Sequence, residues 1–498
     1  MSEIELKFEV TPEDLKRLAT HPAMASPPER VGFDTVYFDT PDGDLRAEGL
    51  SLRVRRKGET YTQTLKRTRS DELFDRDEWE GDTGGFAPDL SLLAHTPVAA
   101  RLEANALALW PQFSLKVERE IHLYREGESE IEISVDRGEV RAGEAAEPLL
   151  ELELELRSGP IGRLYAFAEE LFGVAPIRLS FDTKSDRGFR LLSGAAGDAR
   201  KAEALALTED MTTETAFRCI ARACLVQLAG NTQALHRERR PEALHQARIA
   251  LRRLRSALSV FRPILRDQAY AGLRAELRWA GGELNLARDL DVFIERLEGS
   301  PPEADRQRYV ERLGEARGRA YDRGLEALDS PRFAKLLLDL ALWVEAGDWA
   351  ADTDVDRIGL RAQPVAGFAA EVLDHRRRRL RRAGRALHGQ DPERRHQARI
   401  EAKKLRYAAE FFENAFPDAG KRRRRFIEAL KGLQDELGAL NDIAVAPAIA
   451  RHGVFGEGAT DLAFTAGGVV GELRSGEARL IDRAADAFER FRKVAVFW

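Results

Sequence analysis

Only two cysteines occur in this 498-residue chain, Cys219 and Cys224. Lying five apart in a helical pattern, they exclude a disulfide framework and read as reduced, structural thiols. Long hydrophobic runs are also lacking. The most apolar stretch, Leu336 to Val344, is broken by Asp339, and no run approaches the ~20 apolar residues that span a bilayer. No signal-peptide hydrophobic region is visible at the N-terminus. These shortages predict a soluble, cytoplasmic protein with no membrane partner.

Charge is what the chain has in excess, and it is unevenly divided. Charged residues make up 33% of the chain and hydrophobic residues 43%, against a usual charged fraction of about a quarter. Residues 1–199 hold 25 Lys+Arg and 39 Asp+Glu, a net −14; residues 200–498 hold the other 53 and 45, a net +8. The length allows two or three domains. An acidic half fused to a basic half implies two domains with different tasks, and an anionic partner for the second.

The acidic half alternates. Glu3, Glu5 and Lys7 share one face of an opening strand, with Ile4, Leu6 and Phe8 on the other, because the side-chain period of a strand is two. The pattern recurs at Ser51–Arg55, Thr62–Lys66, Glu130–Ser134 and Leu150–Glu155. Turn signals separate these segments at Pro41-Asp42-Gly43, Arg56-Lys57-Gly58, Arg125-Glu126-Gly127 and Asp136-Arg137-Gly138. Thr11-Pro12-Glu13-Asp14 reads as a helix N-terminus, and a second helix is expected over Ile161 to Phe172. Many antiparallel strands with few helices predict a barrel or a strongly curved sheet.

Taken singly, each strand reads as a solvated charged face. Taken together, the charges form sets: carboxylates on the first and last long strands, Arg and Lys on those between. Glu151, Glu153 and Glu155 form a row spaced about 6.6 Å apart, which repels itself unless a cation or water relieves it. A closed sheet with these faces inward makes a tunnel with an acidic rim and a basic wall. Carboxylates suit Mg²⁺ or Mn²⁺, and Arg and Lys neutralise phosphate oxygens. A chain of three phosphates is the simplest ligand needing so many cations on facing walls.

These residues resemble the CYTH family of triphosphate tunnel metalloenzymes. The resemblance rests on Glu3-x-Glu5-x-Lys7, Tyr37–Pro41 leading to Leu52–Arg55, Lys66, Arg119, Asp136-x-Gly138, Glu153-x-Glu155, and Ser180–Lys184 with Arg187-Gly188-Phe189. It covers roughly residues 1–195 and looks most like the bacterial inorganic triphosphatases. It implies an eight-stranded antiparallel β tunnel with flanking helices, and hydrolysis of a terminal phosphate with Mg²⁺ or Mn²⁺. By the same resemblance Glu3, Glu5 and Lys7 are catalytic, and Glu5, Glu153 and Glu155 hold metal, with Glu151 an open alternative in the row. Arg53, Arg55, Lys66, Arg119, Lys184 and Arg187 bind substrate, with Lys7 joining that clamp; Glu132 and Asp136 stand next to the metal or behind its ligands. Relatives of this kind include adenylate cyclases and thiamine triphosphatases, so ATP and thiamine triphosphate remain alternative substrates.

The basic half repeats itself. Residues 196–211, rich in Gly and Ala, mark a linker, and helical periodicity follows from Thr212. His245-Gln-Ala-Arg248-Ile249-Ala-Leu-Arg252-Arg253-Leu254-Arg255 returns as His396-Gln-Ala-Arg399-Ile400-Glu-Ala-Lys403-Lys404-Leu405-Arg406. On a helix, His245, Arg248, Arg252 and Arg255 fall within an arc of about 80°. His396, Arg399, Lys403 and Arg406 do the same, and Leu251, Leu254 and Leu258 beside the first stripe mark a buried face that it borders. Asp289 and Asp442 follow at matching positions, readable as helix caps or as partners of the arginines. Facing stripes would make a basic groove for a long polyanion. Few aromatics are interleaved with them, which disfavours nucleic acid.

The repeat resembles the CHAD domain, the conserved-histidine α-helical domain, over about residues 212–498. The resemblance implies non-catalytic binding of inorganic polyphosphate through both stripes, and an all-α domain of two repeated bundles at about 212–350 and 351–498. The expected whole is an α+β multidomain chain: a tunnel over 1–195, a linker over 196–211, and a helical domain over 212–498. The expected function is hydrolysis of tripolyphosphate, with polyphosphate held for substrate capture or granule targeting. A non-catalytic polyphosphate scaffold is the alternative from another class.

Overall fold

Apolar–charged alternation builds an antiparallel sheet in the computed structural model, which describes residues 4–68, 76–99, 108–194, 198–298, 304–387, 391–456 and 458–498. Its strands are β1 (Ile4–Glu9), β2 (Glu29–Asp39), β3 (Leu50–Lys57), β4 (Thr60–Thr68), β5 (Arg76–Thr83), β6 (Trp110–Glu126), β7 (Ser129–Ala142), β8 (Ala145–Ser158) and β9 (Arg178–Ser180). They pair in the order β5-β4-β3-β2-β6-β7-β8-β1-β9. The expected eight strands are therefore nine. The extra one, β9, is three residues long, too short to show alternation. Among the described residues the ladder leaves β5 and β9 as edges, so backbone pairing does not close the sheet.

Helix α1 (Pro12–Leu18) starts at Thr11, whose side chain accepts from Asp14 N in a capping box. A one-turn α2 (Asp44–Ala47) precedes β3. Helix α3 runs over Ile161–Phe172, as its periodicity predicts. It packs on the outer sheet face, where the Phe8 and Phe172 rings meet edge to face at 5.8 Å. By parity the same face carries the cluster of Phe38, Leu45, Leu50, Leu52, Val54, Leu65, Leu93 and Val98.

The inner face is divided. Phe33, Tyr37, Phe113, Leu115, Val117, Val140 and Leu149 fill one end around Phe189 of helix α4 (Lys184–Leu192). Burying Phe189 contributes about 2 kcal/mol. The other end is charged. Two glycines allow this packing: a Cβ on Gly188 would lie 2.0 Å from the Phe113 ring, and one on Gly138 would lie 2.0 Å from Lys116 O. Gly138, expected in a turn, thus lies inside β7, where it admits the neighbouring backbone.

The chain divides into two compact units. The first joins residues 1–201 with 225–243 and 328–347; the second comprises 202–224, 244–327 and 348–498. Helices α5 (Thr213–Arg237), α6 (Pro241–Val260), α7 (Ala269–Glu283), α8 (Asn285–Glu298), α9 (Ala304–Leu328) and α10 (Pro331–Ala346) are followed by α11 (Val355–Ala362), α12 (Val365–Ala383), α13 (Pro392–Phe411), α14 (Gly420–Ala450), α15 (Ala459–Ser475) and α16 (Glu477–Lys493). Of the expected linker, residues 196 and 197 lie outside the described residues, while Leu205 and Leu207 are buried.

An aromatic core organises the second unit. The Phe261 ring lies 5.4 Å from Phe217, 5.2 Å from Phe368 and 5.8 Å from Phe412, and Phe217 meets Trp349 at 5.3 Å. Residues before and after position 350 thus share one core. None of the helices, among the described residues, is long and apolar enough to cross a membrane.

Candidate functional site

The β1–β8 register sets the charged end of the inner face. Glu5 stands opposite Glu155, Lys7 opposite Glu153, and Glu9 opposite Glu151. On the far side of β8, Ser134 opposes Glu153 and Asp136 opposes Glu151, while Arg119 of β6 opposes Asp136. Glu3 lies outside the described residues.

Glu153 is the hub. Lys7 Nζ lies 2.6 Å from Glu153 Oε1 and 2.9 Å from Glu5 Oε2. Lys184, at the first turn of α4, donates to Glu153 Oε1 at 2.7 Å and also lies 2.8 Å from Asp136 Oδ2 and 2.9 Å from Glu151 Oε2. Arg119 grips Asp136 bidentately at 2.6 and 2.7 Å and reaches Glu153 as well. Burial pushes the Glu153 carboxyl up, but Lys184, Lys7 and Arg119 outweigh it and hold the group well below the usual carboxylate range. Asp136 is lowered in the same way, against burial, by Lys184 and Arg119. Glu5 goes the other way: burial raises it, Lys7 opposes, and the adjacent Glu153 carboxylate adds to the rise.

Two carboxylate groupings have donor chemistry suited to a divalent cation. Among the described residues, the oxygens of Asp136, Glu151 and Glu153 lie within 4.8 Å of one another, but the Lys184 ammonium already sits among them. The other grouping is the pair Glu5 and Glu153, both contacted by Lys7 Nζ, with Glu155 opposite Glu5. Two crowded carboxylates, one driven toward protonation, are hard oxygen donors whose repulsion a divalent cation relieves. Lys7 bridges this pair as Lys184 fills the other; Glu5, 28% exposed against 4% for Glu153, is the carboxylate whose oxygens fit such an ion. Glu155 itself pairs with Arg157 at 2.7 Å, and Arg157 also holds Glu132 at 2.6 Å.

The basic wall differs from residue to residue. Arg55 stacks over Phe33 with its guanidinium carbon 4.3 Å from the ring centroid. Burial and the neighbouring Arg53 lower it to about 10. Among the described residues neither Arg53 nor Arg55 has a carboxylate within ion-pair distance, and the buried Nε of each has no hydrogen-bond partner. Lys66, in contrast, is paired with Glu78 across the β4–β5 ladder. Arg187 stands 3.3 Å from Glu151 and 3.6–3.8 Å from Glu147 and Glu9. Sequence reasoning missed the acidic row Glu78, Glu80 and Asp82 facing β4. The parity rule that marked the other strands would have found it.

In the second unit the two stripes lie on α6 and α13. Arg248 donates to Leu284 O at 2.8 Å and stands 3.9 Å from Asp289. Burial lowers it to about 10, partly offset by Asp289. Arg399 is lowered by burial, with Asp442 opposing and Arg252 adding to the drop. Lys403 is lowered to about 7 by burial and by Arg399, Arg252 and Arg248. Arg248, Arg252, Arg399 and Lys403 therefore lie within electrostatic reach of one another, and the Nε atoms of Arg252 and Arg399 are buried without a hydrogen-bond partner.

The outer members of the stripes diverge. Arg255 faces Arg274 and Arg278, Arg406 pairs with Glu410 at 2.6 Å, and His396 Nδ1 meets Asn441 Oδ1 at 3.3 Å. His245, on the first turns of α6, is part-buried. Asp289 and Asp442 lie inside α8 and α14 rather than at helix starts. They act as partners of arginine, Asp442 standing 3.3 Å from Arg296.

An antiparallel sheet bearing paired carboxylates and guanidiniums on one face, followed by helices bearing two basic stripes, is the architecture of a CYTH domain joined to a CHAD domain. The CYTH domain model matches residues 1–189 and the CHAD domain model residues 219–451. The chain is 30% identical over 203 residues to an inorganic triphosphatase of Haemophilus influenzae, covering 38% of this chain and 55% of that protein. It is 32% identical over 185 residues to an uncharacterized protein of Mycobacterium tuberculosis, 34% of each. The matched region thus spans about half or less of these relatives. Among solved structures, the CHAD domain from the plant Ricinus communis superposes with a TM-score of 0.53 at 27% identity, over 59% of this chain and 97% of that one.

Proposed function

We propose that the first unit hydrolyses inorganic triphosphate with Mg²⁺ or Mn²⁺, and that the second unit holds inorganic polyphosphate. The observation that carries the first half is the pair Arg53 and Arg55. Two half-buried arginines, their buried Nε atoms unpaired and without carboxylate partners among the described residues, sit on the same inner face as a Glu5–Glu153 pair suited to a divalent cation. A triphosphate supplies the anion to one and phosphate oxygens to the other. Arg53, Arg55 and Arg119 neutralise the non-bridging oxygens. Lys7 and Lys184 keep Glu153 ionised, and Glu5, Glu153 and Glu155 hold the cation. When bound, the cation supplies charge stabilisation and a water of lowered pKa. The relative from Haemophilus influenzae supports the inorganic substrate over ATP or thiamine triphosphate. For the second unit, the support is the convergence of Arg248, Arg252, Arg399 and Lys403; substrate capture or granule targeting in the cytoplasm would follow.

Phosphate release from tripolyphosphate, ATP and thiamine triphosphate, compared with Mg²⁺, Mn²⁺ or EDTA, tests the reading. Tripolyphosphate is expected to be cleaved fastest and only with metal. Glu153→Ala or Glu5→Ala should lower kcat by about 100-fold or more. Full turnover in either variant refutes the assigned site, and tight tripolyphosphate binding without turnover favours the scaffold reading.

A further inference from the structure

We infer that Arg237, the last residue of α5 and distant in sequence from every strand, is a positioning residue of the charged site on the inner sheet face; this rests on the triphosphatase reading. Arg237 belongs to the first unit, through its 225–243 segment. Its place is fixed by the turn before it. Gln233 Nε2 donates to Ser180 Oγ on β9 at 2.8 Å, both residues being buried. His236 Nε2 lies 3.3 Å from Asp329, which also takes Arg178 Nη1 at 3.4 Å. The C-terminal turn of a helix favours the cation it carries.

From there a chain of alternating charges leads inward. Arg237 Nη2 stands 3.5 Å from Glu9 Oε1 and 4.0 Å from Glu147 Oε1. Those two oxygens are the ones that Arg187 also faces, at 3.8 and 3.6 Å. Arg187 in turn lies 3.3 Å from Glu151 Oε1, while Glu151 Oε2 lies 2.9 Å from Lys184. Lys184 holds Asp136 and the hub Glu153. Arg237 and Arg187 share two carboxylates, so Arg237 sets how much of the Arg187 charge is left for Glu151. That share sets how Lys184 is divided between Glu151 and Glu153. Without Arg237, Glu9 and Glu147 draw Arg187 outward, Glu151 draws Lys184 off Glu153, and the hub shifts. Neutralising Glu9 removes that pull.

Full-length wild type, Arg237→Gln, Arg237→Lys, Glu9→Gln and the double variant Arg237→Gln/Glu9→Gln test this. The readouts are tripolyphosphate affinity by calorimetry with and without Mn²⁺, kcat/KM, and Tm. Arg237→Gln is expected to lose about fivefold in affinity and kcat/KM at nearly unchanged Tm, Arg237→Lys to lose less, and the double variant to recover to within about twofold of wild type. An unaffected Arg237→Gln, or a second, additive loss on adding Glu9→Gln, overturns the positioning role. A merely structural role would lower Tm and the active fraction together, with no recovery, which also overturns it. If wild type binds tripolyphosphate but does not cleave it, the hydrolase reading fails while the affinities still decide the role of Arg237. If it neither binds nor cleaves, both readings fall.

Discussion

Lys403 is the residue whose environment departs most usefully from its sequence role as one more cation in a stripe. Burial, with Arg399 on its own helix and Arg252 and Arg248 on α6, lowers it to about 7, with Asp442 on α14 opposing. The free protein therefore carries a charged Lys403 below pH 7 and a neutral one above. A bound polyanion stabilises the charged form, so binding takes up a proton above pH 7. Polyphosphate affinity should fall as pH rises from about 6 to 8, by up to about tenfold per unit above pH 7. Lys403→Arg should flatten that profile, as titration of affinity by fluorescence or calorimetry would show. On the inner sheet face, Arg55→Gln removes a guanidinium with no carboxylate partner among the described residues. It should weaken triphosphate binding by about tenfold or more while leaving Tm nearly unchanged, because no internal ion pair is lost. A large fall in Tm would place Arg55 in the structure rather than at the ligand.

Helix α4 matters most among the elements, since it joins the apolar and charged ends of the inner face. Lys184, Arg187, Gly188 and Phe189 all lie in its first turns, and Thr183 caps it with Asp186 in a capping box. Gly188→Ala forces a methyl group into the Phe113 ring. It should cost about 1–3 kcal/mol by urea unfolding and displace Lys184 from its three carboxylates, so activity should fall further than stability. Its residues were legible, since Ser180–Lys184 and Arg187-Gly188-Phe189 stood out through the family resemblance, but the helix itself was not read. What α4 does was not legible either. Lys184 and Arg187 were expected to face substrate, yet both are held by carboxylates of the sheet. That outcome depends on residues 31 or more positions away along the chain, Asp136, Glu151 and Glu153 among them, and Glu9 on β1. Periodicity within one strand says which face a side chain takes, and nothing about which distant side chain it meets there. Gly138 failed for the related reason that close approach of β6 looks, in sequence, like a turn.

For the whole molecule, an acidic sheet unit and a basic helical unit predict separable activities. Neutralising Arg248, Arg252, Arg399 and Lys403 together should abolish binding of long polyphosphate, measured by retardation or calorimetry, while tripolyphosphate turnover stays within about twofold. Unchanged polyphosphate affinity would refute the basic groove. The division of the chain is less simple than the charge asymmetry suggests. Residues 225–243 and 328–347, which lie within the basic half of the sequence, belong with the sheet unit.

The sequence by itself determined the alternating strands, the helices at Pro12 and Ile161, the two basic stripes and the opposite charge of the two halves. All of these follow from local periodicity and residue type, which each segment carries on its own. Only the tertiary structure decided that the sheet has a ninth strand and two edges, and that Glu153 is the hub. It also decided that Lys184 fills the three-carboxylate cluster, that Lys66 is paired while Arg53 and Arg55 are not, and that Arg237 reaches Glu9. The reason is physical. A charge is defined by its counter-charge, and in this fold the counter-charges come from strands and helices far apart in the chain.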